Sequence, residues 1–104
     1  MKIAIFFEKD RLGAFHDRDV EILIFQLHNN QVVGVESLTL SGKHGDYRMQ
    51  ILKSNGISDV YLLEIEEEWR QALQQNNIRA ITDKTLMDNK LLNSLYFSNM
   101  KSGG

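Results

Sequence analysis

The sequence predicts one α/β domain built on a mixed five-stranded sheet, with elements in the order β-β-β-α-β-α-β-α and helices on the faces of the sheet. Three observations carry this. "KIAIFF" and "DVYLLEI" are short runs apolar on both faces, as in strands covered on two sides. Two β-rich runs meet at Asn29-Asn30, a tight-turn signal. Beyond them, helical spacing alternates with strand-like runs, the signature of parallel crossover units.

Taken in order, Lys2 to Phe7 is the first strand, and "EKDRLGAFHDRD" is a long polar loop with one glycine. "VEILIFQLH" and "QVVGVESLTL" form an antiparallel hairpin, because asparagine tolerates the positive φ that a two-residue turn requires. "SGKHGDYRMQILKSNG" places Tyr47, Ile51 and Leu52 at helical spacing, with Gly56 available for the left-handed residue that ends a helix. "DVYLLEI" is the fourth strand, running almost directly into a helix whose apolar stripe is Trp69, Ala72 and Leu73. That helix ends at Asn76-Asn77, and "IRAIT" is the fifth strand. Thr85 with Asp88, followed by Met87, Leu91 and Leu95, suggests a last helix. Residues 1–100 are expected to form the domain and residues 101–104 a short flexible tail.

Composition removes several function classes. The 104 residues are 42% hydrophobic and 25% charged, enough apolar material for a core without staples. Zero cysteines exclude a disulfide framework, thiolate catalysis and a protein-thiolate-ligated cluster. A net charge of −2 with scattered Lys and Arg gives no footprint for nucleic acid. No apolar run approaches the roughly 20 residues that span a bilayer, and the amino terminus turns acidic too soon for a signal peptide. A cytoplasmic location without membrane contact is the expectation.

The stretch "LLEIEEEWRQALQQNNI" raises the central question of function. A strand-to-helix corner in an α/β protein commonly receives an anion, because the first helical N–H groups are unpaired and the macrodipole is positive there. Here that corner carries Glu64, Glu66, Glu67 and Glu68. Acids in a first turn complement the dipole by about 0.3 to 1 kcal/mol each, and Glu66 can pair with Arg70 four residues on.

The opening "MKIAI", the loop holding His16, "EILIF", the glycine-bearing segment with His44, and then "LKSNGISDVYLLEI" and "ALQQNNIRAI" together resemble the dinitrogenase iron-molybdenum cofactor biosynthesis protein family. The resemblance covers nearly the whole chain and implies a ribonuclease-H-like fold and a metallocluster-binding role connected with nitrogen fixation. It points to His16 and His44 as cofactor-binding positions, and to an iron-molybdenum or iron–sulfur cluster precursor as the cofactor. Two departures modify this. Family members usually carry His-Phe-Gly-Arg where this chain has "HDRD", and Gly-Gly-Ile-Gly where it has "LEIE", so Glu64 and Glu66 replace glycines. A glutamate about 6 Å from one negative charge costs on the order of 0.7 to 3 kcal/mol. Several would outweigh the half charge of a helix terminus. The family's anion pocket is therefore expected to be altered.

The candidate metal ligands are His16, Asp17, Asp19 and Glu64, a nitrogen and oxygen set suited to a transition metal or to Mn²⁺. None belongs to a tight ligand-spacing motif. His28 adjoins the hairpin turn and reads as a solvated loop residue. Trp69 reads as core, and Phe15 as either core or an apolar contact for a ligand. With no Gly-x-Ser-x-Gly elbow and no phosphate-binding loop, no catalytic residue is named.

The first functional expectation is a non-enzymatic binding protein for a metallocluster, metal ion or related small ligand. The second is an interaction module of the same fold that has lost the ligand site and binds a protein partner or its own copy. The third is a metal-dependent nuclease using Glu8, Asp10, Glu64 and Asp83, which two-metal hydrolysis would need within bridging distance of an ion pair.

Overall fold

Lys2–Glu8 (β1) is buried along its five central residues, and burial on both faces puts it at the centre of the sheet. The computed structural model describes residues 1–9, 11–42 and 45–82. The remaining described elements are Arg11–Leu12 (β2), Asp19–His28 (β3), Gln31–Ser41 (β4), Gly45–Ser54 (α1), Ile57–Tyr61 (β5), Glu67–Gln75 (α2) and Arg79–Ile81 (β6). Asp10, Lys43, His44 and the expected last helix from Thr85 lie outside the described residues.

The sheet runs β4-β3-β1-β5-β6, with β2 paired to β1. β3 and β4 form the antiparallel half; β1, β5 and β6 run parallel. The α/β domain and its mixed sheet stand as expected, and the described residues form six strands where five were expected. The addition is β2, where Lys9 at φ 60° turns the chain back so that Leu12 faces Phe7 and Arg11 faces Glu8. A two-residue strand carries too little alternation to register as a strand in sequence.

The hairpin turn is as expected. Asn29 and Asn30 take φ of 53° and 62°, and His28 pairs with Gln31. Alternation along β1 then sorts two cores. Ala4 and Phe6 join Ile22, Ile24, Val60, Leu52 and Leu73 on the face where α1 and α2 pack. Ile3, Ile5 and Phe7 join Leu23, Phe25 and Leu27 on the opposite face. Among the described residues, both helices contribute to the first core alone.

Three local expectations change. Tyr47 is exposed, and α1 turns Arg48, Met49 and Leu52 inward instead. The strand expected over "DVYLLEI" begins earlier, at Ile57, and stops at Tyr61. Leu62 to Glu66 form a connection, so the glutamates lie past the strand and not on it. The cause is a change of backbone partner. Leu62 N–H still reaches Ile81 O at 3.2 Å, but Leu63 N–H donates to Gly13 O at 2.8 Å, and Glu64 O accepts from Phe15 N–H at 2.9 Å. The chain leaves the sheet to pair with the loop that follows β2. Glu66 does not pair with Arg70 either; Arg70 Nε instead lies 3.8 Å from Glu67 Oε2.

Gly56 at φ 67° follows α1, as expected of a helix-ending glycine. α2 closes on a Schellman arrangement. Asn77, at φ 61°, donates to Gln74 O at 3.0 Å, and Ile78 donates to Leu73 O at 2.9 Å. Among the described residues no helix is long and apolar enough to cross a membrane.

Candidate functional site

Two loops meet beyond the carboxyl ends of the parallel strands β1 and β5, where open α/β sheets place their ligands. One follows β2 and carries His16; the other is the connection from Leu62 to Glu66. The backbone bonds from Leu63 to Gly13 and from Phe15 to Glu64 stitch them together. Between them lies a depression of about 230 Å³ lined by Ala14, His16, Glu64, Ile65 and Glu66.

Several features fix the His16 loop. Gly13 sits where a Cβ would approach Glu8 N and Phe7 C at 3.1 Å and Asp17 Oδ2 at 3.2 Å, a close passage that any side chain would force apart by a few tenths of an ångström. Asp17 closes the turn through its own side chain: Oδ2 accepts from Ala14 N–H at 2.6 Å, and Asp17 N–H donates to Ala14 O at 3.2 Å. Phe15 is fully buried, its ring 5.8 Å from Phe6 and 5.5 Å from Trp69. It belongs to the core.

Residue 16 then emerges at the rim. The His16 ring meets Phe15 edge-on at 4.9 Å and Trp69 at 5.6 Å. Its Nδ1 lies 3.4 Å from Glu66 Oε1, with 26% of the histidine side chain exposed. Trp69 in turn rests on the start of α1, where a Cβ on Gly45 would come within 2.5 Å of the indole. Trp69 is partly buried and packs against the core on the side its stripe position implied, and its edge also forms the histidine's wall.

Beneath the loop lies Arg48, only 1% exposed. Its guanidinium donates to Phe15 O, to Asp17 O at 2.6 Å and to Gly42 O at 2.6 Å, with Arg18 O at 3.4 Å. Burial lowers its pKa from the ordinary arginine value, and the charges of Asp17 and Asp19 oppose that shift. Reading the sequence missed Arg48. The available signal was its place among Met49 and Leu52 on the apolar side of a helix, where a charge is unusual unless paired.

The structure brings His16 and Glu64 to one depression and adds Glu66. Asp17 and Asp19 line a different one, with Glu8, Lys9, Arg18 and Glu21. Among the described residues no group of three or more His, Asp or Glu side chains converges as a metal cage would. His28 is exposed beside the hairpin turn, and His44 lies outside the described residues. Of the four carboxylates considered for hydrolysis, Glu8 and Glu64 line separate depressions. Asp10 and Asp83 lie outside the described residues.

What this rim can do follows from charge and tautomer. A carboxylate beside Nδ1 favours the proton on that nitrogen and leaves Nε2 with its lone pair, the usual support of a ligating histidine. Glu64 and Glu66 make the rim unfavourable for an anion and favourable for a cation.

No protein-family model matches the chain, and no curated protein sequence matches it. Solved structures do. The crystal structure of PH0822 aligns with a TM-score of 0.67 at 17% identity, covering 78% of this chain and 75% of that one. The crystal structure of a protein from Methanocaldococcus jannaschii described as a "putative dinitrogenase" aligns with a TM-score of 0.60 at 19% identity, covering 94% of this chain and 89% of that one. At these identities the likeness shows the fold.

Proposed function

We propose that the chain is a non-enzymatic binding protein, that its site is the depression around His16, and that it takes a metal ion or a small metal-bearing species through the imidazole. One observation carries the reading. His16 is the nitrogen donor at the meeting point of the two loops beyond the parallel strand ends, with Glu66 Oε1 3.4 Å from its Nδ1. The shared fold with a protein described in dinitrogenase terms lends support, as does the sequence resemblance to the cofactor biosynthesis family. An iron-molybdenum or iron–sulfur precursor remains the family-directed ligand, with His16 and His44 as its contacts. The acidic rim instead favours the metal cation.

Native mass spectrometry on protein purified without oxygen tests this, before and after addition of Mn²⁺ or of a cluster donor. The expected result is a stoichiometric adduct that His16→Ala removes without unfolding the protein. Equal adduct formation by wild type and variant would count against the site.

The second reading, an interaction module, has its own observation. Among the described residues β4 is an edge strand whose Val32, Val33 and Val35 are exposed, and such an edge is a template for another strand. A second copy of the chain is the occupant this reading names. A monomer at all concentrations in analytical ultracentrifugation would remove it.

A further inference from the structure

We propose that Arg48 is the positioning residue of the His16 site: its buried guanidinium gathers backbone carbonyls on both sides of residue 16 and thereby holds the imidazole at the rim. The inference rests on the binding role assigned to His16, although the positioning itself can be tested apart from it.

Three observations lead there. First, the acceptors bracket the histidine. Phe15 O immediately precedes it, Asp17 O immediately follows it at 2.6 Å, and Gly42 O at 2.6 Å ties the same group to the end of β4. One side chain thus holds the carbonyl of the peptide bond that enters residue 16 and the carbonyl of Asp17, the residue that follows it. Second, Arg48 itself is not among the residues lining the depression, so it acts through His16. Third, its partners are unusual. Among the described residues, the hydrogen-bond acceptors of this nearly fully buried cation are carbonyls and no carboxylate oxygen is one of them.

A buried ion is costly, and an apolar residue of similar volume commonly serves stability as well or better. Carbonyl oxygens without a donor are also costly to bury. A planar fork with several N–H groups is the side chain that can satisfy converging carbonyls at once, which a lysine's point charge does less well. The geometry therefore favours arginine for the shape it imposes on the loop. The remaining supports of the imidazole depend on that shape. The 5.5 Å and 5.6 Å approaches of Phe15 and His16 to Trp69, and the 3.4 Å approach of Nδ1 to Glu66, all require residues 15 and 16 to stay where the fork holds them.

The experiment compares wild type with Arg48→Lys and Arg48→Met by residue-resolved amide exchange, by the ring-proton resonances of His16, and by Mn²⁺ affinity. In both variants, exchange over residues 13–18 should rise at least tenfold beyond any rise in β1 and β3, where the change reports only global stability. The His16 ring signals should move, and Mn²⁺ binding should weaken at least tenfold, with Arg48→Lys less affected than Arg48→Met. Protection lost evenly across loop and strands, with His16 signals and affinity unchanged in the folded fraction, would overturn the proposal and leave Arg48 a general stabiliser. Should wild type fail to bind Mn²⁺, that binding reading falls, while the exchange pattern and ring signals still decide the positioning. If neither variant folds, the wild type supplies the test. Slowly exchanging Arg48 guanidinium protons with nuclear Overhauser contacts to residues 15–18 support the clamp, and their absence overturns it.

Discussion

Arg48, Gly45 and Tyr61 each turn an atomic contact into a measurable quantity. Loss of the Arg48 fork leaves buried and part-buried carbonyls without their donor, so Arg48→Met should cost roughly 1 to 3 kcal/mol in urea unfolding. Gly45→Ala would drive a methyl group into the Trp69 ring, 2.5 Å from its Cζ2, and overpacking of this kind costs roughly 1 to 3 kcal/mol. Because Trp69 also walls His16, that variant should shift the tryptophan emission and loosen the site together. Tyr61 gives a pH prediction. Burial, with the charge of Asp59 adding and that of Arg79 opposing, raises its phenol above 10.0. The folded state then holds the proton more tightly than the unfolded chain. Stability from this source is complete below about pH 10 and is lost as pH rises toward the raised folded value. Tyr61→Phe should therefore lose less stability than wild type above pH 10 in parallel denaturation series.

At the scale of elements, the hairpin was legible because Asn-Asn between alternating runs names both the turn and the register. The end of α2 was legible through the same residue type, with Asn77 left-handed. The ends of β5 were not. "DVYLLEI" is apolar throughout, and only the loop after β2, distant in sequence, draws Leu63 and Glu64 out of the sheet. The beginning of α2 shows what the site costs its helix. Glu66 occupies the cap position with extended backbone and makes no side-chain capping bond. Serine there could accept from the helix N–H groups, which is worth about 0.5 to 2 kcal/mol. Glu66→Ser should raise the unfolding midpoint and, by removing the carboxylate beside His16, weaken metal binding. A variant that gained neither stability nor lost affinity would show the glutamate to be idle at both tasks.

Across the whole molecule, periodicity gave the layers, because two-sided burial of β1 dictates a central strand whatever surrounds it. The candidate site was readable only in part. Glu64 stood out as an acid at a strand end and His16 as a loop histidine the family resemblance points to, but their convergence with Glu66, and the separation of Asp17 and Asp19, depend on how two distant loops pair. Arg48 stayed hidden because a lone arginine in a helix reads as surface until its acceptors are located. The measurement that bears most directly on the claimed site is a nitrogen-15 NMR spectrum recorded during Mn²⁺ titration. Paramagnetic broadening should centre on Ala14, His16, Glu64, Ile65 and Glu66 and be lost in His16→Ala. Broadening centred elsewhere, or unaltered by that substitution, would contradict the claimed site.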